Sequence, residues 1–372
     1  MDQLPEEIKQ LIINEYDLTT LLNISQTSKE NLISHQRMIF MNFEVNYIKE
    51  IKYYDIKQIT KIKNVNKLTD EEIKNLTNLT YLKINFNKNI TDEGIKCLTN
   101  LIILDLGCNK NITNDGIKYL TNLKNLNLCC NENITNDGIK CLTNLITLDL
   151  CNNRNITDEK IRYLTNLITL DLGCNENITD KGIKHLTNLT NLNLNYNTNI
   201  TDEAIKCLTN LTNLNLGYNN KITNKGIIYL INLTNLNLGY NTNITDEAIK
   251  CLINLTNLNL SRNTNITDGV IKCLIKLNKL YLGLCNKITN LGINKLVNLT
   301  HLYLNADTNI TDEGIKYLTK LKNLHLDINE NITNKGINYL TNLTYLNTGI
   351  NSKIQYQESD NFLNNTKRIS IN

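Results

Sequence analysis

Apolar residues recur along most of this chain on a fixed period of 22 residues. An Ile-Thr pair, once Leu-Thr, stands at Leu68, Ile90, Ile112, Ile134, Ile156, Ile178, Ile200, Ile222, Ile244, Ile266, Ile288, Ile310 and Ile332, and Ile354 keeps the spacing before Gln355. A constant period of this size marks a stacked repeat architecture, in which one unit cannot bury its apolar face alone and each neighbour completes the core of the next. Within a unit, Leu211, Leu214 and Leu216 point inward, and Leu214-x-Leu216 has the period of two expected of a short strand. The segment from Thr91 to Ile95 then predicts a helix start. Thr91 suits the N-cap, and Asp92 and Glu93 suit the positive end of a helix dipole. Ile95, Leu98 and Leu101 carry the apolar stripe onward at spacing three. Helices are wider than strands, so the expected architecture is an α/β horseshoe with a parallel sheet on its concave face and short helices on its convex face.

One polar position shares the period. Asparagine stands three residues before the anchor at Asn87, Asn109, Asn131, Asn153, Asn175, Asn197, Asn219, Asn241, Asn263, Asn329 and Asn351. Its amide is placed to satisfy backbone groups of adjacent turns, whose loss would cost on the order of 1–3 kcal/mol. Cys285 and Asp307 replace it in two consecutive units.

The L-x-x-L-x-L-x-x-N pattern followed by I-T-D-x-G-I resembles the leucine-rich repeats of F-box proteins. The 22-residue unit and its Leu-Thr-Asn-Leu-Thr runs also resemble bacterial internalin-type adhesins, which usually carry a proline where these units have Glu-Gly-Ile-Lys. The resemblance implies a leucine-rich-repeat solenoid that binds a protein and carries no catalytic, cofactor or metal site. Residues 1–48 break the repeat. There Leu4-Pro5-Glu6-Glu7-Ile8 precedes a helical pattern, and Leu21-Leu22-Asn23-Ile24 runs into Ser25-Gln26-Thr27-Ser28-Lys29. Pro5 suits the first helical turn, where its missing N–H is not needed. This order resembles the F-box, a small helical module that docks on a Skp1-type adaptor of a cullin ubiquitin ligase. The match departs at Asn31, where the family often has tryptophan, and at Tyr16, where it has leucine. Carried over by position, the adaptor contacts are Leu4, Pro5, Ile8, Ile12, Leu21 and Leu22. The competing readings are a non-ligase scaffold or inhibitor whose N-terminal helices cap the first repeat, and a secreted internalin-like adhesin. Residues 49–67 read as a linker or degenerate first repeat, 68–354 as the repeat array and 355–372 as a C-terminal cap, with Ile369-Ser370-Ile371 available as a closing strand.

Composition changes little in this picture. The net charge is +3 over 372 residues, and no run of like charges suggests a nucleic-acid or membrane partner. The acidic start, Met1-Asp2-Gln3-Leu4-Pro5-Glu6-Glu7, is not a secretory signal, and the expected location is the cytoplasm, that of the host cell if the protein is viral. Eleven cysteines without C-x-x-C spacing read as reduced thiols. Cys97, Cys141, Cys207, Cys251 and Cys273 share a helix-side slot, as small apolar residues there would. Cys108, Cys129, Cys130, Cys151 and Cys174 fall at strand positions. His185 occupies the slot of Cys97 and Tyr119 and reads as a packing variant; the Asp-Glu pairs read as helix-start residues.

Exposed slots on the strand side carry the binding expectation. Middle units repeat asparagine, flanked by Tyr196, Tyr218 and Tyr240, whereas late units diversify from Lys279 onward. Each unit meets the same structural demand, so this divergence marks Tyr281, His301, Tyr303, His325, Asp327 and Tyr345 as the partner-binding patch. Tyrosine offers large contact area at low entropic cost. A monomer outside its complex is expected.

Overall fold

The computed structural model describes residues 61–62, 68–306, 309–349, 351, 353–354 and 367–368. The F-box-like segment with Leu4, Pro5, Ile8, Ile12, Leu21 and Leu22, most of 49–67, and Asp307 lie outside the described residues. The chain divides into two compact units, Met1–Leu167 and Ile168–Asn372.

In the first unit, parallel strands Lys61–Ile62, Tyr81–Lys83, Ile103–Asp105, Asn125–Asn127 and Thr147–Asp149 pair in chain order. In the second, three-residue strands recur every 22 residues from Thr169–Asp171 to Tyr345–Asn347, again parallel. The register matches equal slots, so Leu214 stands beside Leu192 and Leu236. A last strand, Lys367–Arg368, pairs with Tyr345–Leu346. The closing strand therefore begins ahead of Ile369-Ser370-Ile371, which lie outside the described residues.

Each three-residue strand buries its central leucine and leaves its two flanking residues half-exposed, as the pleat requires. Leu211, Leu214, Leu216, Ile222, Ile227 and Leu230 all lie in the core. The helices are a single turn, for example Asp92–Ile95, with Thr91 Oγ1 accepting from Glu93 N at 3.3 Å. The spacing of three that follows is not helical. Leu98 N bonds Ile95 O and Leu101 N bonds Leu98 O, so the chain descends through successive tight turns that each return a leucine to the core.

Two ladders tie units together. Asn219 Nδ2 donates to Asn197 O at 2.6 Å, while its Oδ1 accepts from Lys221 N at 2.9 Å and Ile222 N at 3.2 Å. Asn241 repeats this on Asn219. Cys285 substitutes with a thiol donated to Leu260 O at 2.7 Å. The second ladder corrects the view of the helix-start acids as dipole partners only. Asp202 accepts from both Thr223 N, at 2.8 Å, and Thr223 Oγ1, at 2.6 Å, one unit on. Where the slot is asparagine the direction of one bond reverses. Asn224 Oδ1 accepts from Thr245 N at 3.0 Å, and Asn224 Nδ2 donates to Thr245 Oγ1 at 2.9 Å. Asp and Asn are interchangeable there because the threonine hydroxyl both donates and accepts.

Candidate protein-interaction surface

The strand face of the second unit has two chemical zones. In its earlier part the exposed asparagines bond each other across strands. Asn193 Nδ2 reaches Asp171 Oδ2 at 2.9 Å, Asn213 Nδ2 reaches Asn191 Oδ1 at 2.7 Å, and Asn235 donates to Asn213. This zone is a shallow trough lined by Asp171, Asn193, Asn215, Asn237 and Asn259 that ends at Tyr281. Asn215, Asn237 and Asn259 accept from the amides of Gly217, Gly239 and Ser261 in their own turns, so a ligand would compete with these bonds as well as with those across strands.

Beyond Tyr281 aromatic rings take over. Equal slots on adjacent strands lie side by side, so Tyr281 stacks on Tyr303 with ring centroids 4.1 Å apart, and Tyr303 on His325 at 4.2 Å. Tyr345, in the neighbouring slot row, closes diagonally on His325 at 5.0 Å, tilted 37°. His301 lies in that second row beside Lys279 and bonds Thr300 Oγ1 through Nδ1 at 2.8 Å. The structure thus brings five of the six patch residues onto one sheet surface. Asp327 falls two residues beyond its strand, in the turn, packed against Gly349. All six are half-buried, with area left for a partner. Burial, then Lys279 and Lys322, lowers the His301 pKa from its ordinary value; burial, then His301, lowers that of His325. Both shifts favour the neutral imidazole, and with Nδ1 on Thr300 the His301 ring has Nε2 left for a further hydrogen bond.

The second tyrosine series differs in kind. Tyr196, Tyr218 and Tyr240 sit past the strand ends at φ +56°, +55° and +58°, in the left-handed region that costs a residue with a Cβ about 1–2 kcal/mol. The same turn position is left-handed at Phe86, Cys108, Asn152 and Arg262. Their rings stack at 4.1 and 3.9 Å, and the Arg262 guanidinium caps the column 5.0 Å from the Tyr240 centroid. The column is an edge feature of the turns, separate from the strand-face patch. Gly217 lies between that turn position and its strand, which ends at Asn215.

The cysteines need two corrections. Cys97, Cys141, Cys207 and Cys273 are exposed and Cys251 half-exposed, so the helix-side slot is a surface slot that does not select for apolar packing; His185 is exposed there too. Cys108, Cys130 and Cys174 occupy the left-handed turn position beyond the strands. Burial, and then a hydrogen bond with Cys130, pushes the Cys129 thiol up, so it stays protonated and a poor nucleophile. Among the described residues no group of His, Cys, Asp or Glu is arranged to hold a metal ion, and no helix is long and apolar enough to cross a membrane.

The comparisons with known proteins agree with this geometry. The family described as Leucine Rich repeat matches residues 75–99, 97–120, 119–142, 163–186, 185–209, 207–231 and 229–253. An internalin from Listeria monocytogenes is 29% identical over 81% of this chain and 92% of its own, with a TM-score of 0.60. A leucine-rich-repeat protein from Leptospira interrogans is 28% identical over 84% of each chain, with a TM-score of 0.57. A chain of the yeast Rad7 and Elc1 complex shares the fold at 16% identity, with a TM-score of 0.56 over 97% of this chain and 92% of its own. No curated protein gives a significant match. The chain carries leucine-rich repeats folded as a parallel-stranded solenoid, a fold typical of non-enzymatic protein-interaction scaffolds.

Proposed function

We propose that this protein is the substrate-recognition subunit of a Skp1–cullin–F-box type ubiquitin ligase, working in the cytoplasm and holding its target on the strand-face patch from Tyr281 to Tyr345. The observation that carries this reading is the order of the chain: Leu4-Pro5-Glu6-Glu7-Ile8 and the Leu21-to-Lys29 run stand N-terminal to the repeat array. An adaptor-docking segment followed by a protein-binding scaffold divides the labour as such a ligase needs, with the ubiquitin chemistry left to partners. The yeast chain that shares the fold is itself part of a complex, that of Rad7 and Elc1. A second reading, a non-ligase scaffold or adhesin, draws on the 29% identity to the Listeria internalin.

The two separate on one experiment. Leu4→Glu with Ile8→Glu places unpaired charge in the apolar adaptor interface, which is strongly unfavourable. Full-length protein co-expressed with a Skp1-type adaptor is expected to co-purify with it, and the double variant to lose the adaptor while its thermal melt stays put. An unmodified chain that leaves the adaptor behind, or a variant whose repeats unfold, would favour the cap-and-scaffold reading.

A further inference from the structure

A second surface lies on the helix side of the second unit. The slot just after each helix-side leucine is threonine from Thr77 through Thr209 and again at Thr319 and Thr341. Between them it holds Ile231, Ile253, Ile275 and Val297, which are 56%, 59%, 59% and 45% exposed. The fold does not ask for this change. What the slot contributes to the structure is its carbonyl, which accepts an asparagine amide from the next unit. Asn210 Nδ2 bonds Thr187 O at 2.9 Å just as Asn254 Nδ2 bonds Ile231 O at 3.1 Å and Asn298 Nδ2 bonds Ile275 O at 3.0 Å. Four consecutive aliphatic side chains are thus held in water where threonine satisfies the same backbone, the kind of apolar exposure that marks an interaction site.

The row is bordered by positive charge. In other units the lysine that closes the helix pairs with an acid three residues earlier, as Lys96 with Glu93 and Lys206 with Glu203. Beside the row, Lys272 has Gly269 where that acid would stand, and Lys250, Lys276 and Lys295 are exposed as well, against the single exposed acid Glu247. Lys276 Nζ is held at the row by Asn254 Oδ1 at 2.7 Å.

We infer that the row Ile231–Ile253–Ile275–Val297 docks an acidic amphipathic α-helix of a protein partner, laid along the stacking direction. Stacked units advance by about 4.8 Å at the strands and by more on the wider helix side, and a helix advances by about 5.4 Å per turn, so one apolar side chain per turn meets one unit along the row. Glutamates on the flanks of such a helix would face the lysines. A second copy of this chain would set lysines against lysines. A membrane surface calls for a broad apolar face with tryptophan or phenylalanine, and this row is one side chain wide. The inference is independent of the strand-face reading.

A fluorescent synthetic helix of about 18 residues, with leucine once per turn and glutamate on both flanks, is the probe, titrated with full-length protein by anisotropy. The Ile231→Thr, Ile253→Thr, Ile275→Thr, Val297→Thr variant restores the residue this slot holds elsewhere and should melt unchanged. Saturable binding is expected, weakened at least about tenfold in that variant and in Lys272→Glu with Lys276→Glu, and equally weakened when lysine replaces the peptide's glutamates. Absence of binding, or binding indifferent to these changes, overturns the proposal. So does row-dependent binding to vesicles of anionic lipid in place of the peptide, or a dimer in sedimentation that the threonine variant abolishes.

Discussion

Leu214→Ala is expected to destabilise the unit spanning residues 168–372 by ~2–5 kcal/mol. The side chain is 3% exposed and stands between Leu192 and Leu236, so truncation leaves a cavity that flanking strands cannot close without breaking their own register. Because each unit is stabilised by its neighbours, the damage should spread to adjacent strands and fade with distance. Hydrogen exchange read residue by residue checks this. Amides in Asn191–Asn193 and Asn235–Asn237 should lose protection along with those of the mutated strand. A melt and an exchange pattern that both stay unchanged would mean Leu214 is not a core residue.

Asn219→Leu should cost about as much for a different reason. The side chain is fully buried, and leucine repeats its branched outline with methyl groups in place of the amide, so no cavity is left. What is lost is a partner for Asn197 O and for the amides of Lys221 and Ile222. Each buried group left unsatisfied costs on the order of 1–3 kcal/mol, which places the total at several kcal/mol. Asn219→Cys should be markedly milder, because Cys285 fills the same slot with its thiol donated to a backbone carbonyl. Paired denaturant melts of the two variants decide it. Equal losses would show that the cysteine thiol does not stand in for the amide's hydrogen bonds.

These two positions also show how far the sequence could be read. The fixed period gave the strands, the buried leucines and the ladder asparagine, because every unit repeats the same demand and chance variation cannot imitate it. It also fixed which aromatic residues share a slot. Tyr281, Tyr303 and His325 occupy one slot in successive units, and parallel pairing in register converts equal slots into neighbouring rings. The left-handed turn was hidden, since the residues there are Tyr, Cys, Phe and Arg rather than the glycine or asparagine that would announce it. The geometry is imposed by the closure of each repeat, not by local preference. The Asp202–Thr223 ladder was hidden for another reason: acid followed by an N-cap threonine one unit on looks like ordinary helix capping until the units are stacked. The helix-side cysteines were misread because a period of three suggests a helical apolar face, whereas the chain there makes tight turns that bury only one residue in three.

The function turns on which aromatic series meets a partner. Full-length protein expressed in eukaryotic cells with a photoreactive phenylalanine analogue at position 303, or separately at 218, asks this directly. The analogue keeps an aromatic ring in either stack, so the fold is preserved. On illumination, a covalent adduct with a second protein is predicted from position 303, with little or none from 218. An adduct formed from 218 and not from 303 would contradict the account and move the binding surface to the turn-edge column of Tyr196, Tyr218 and Tyr240.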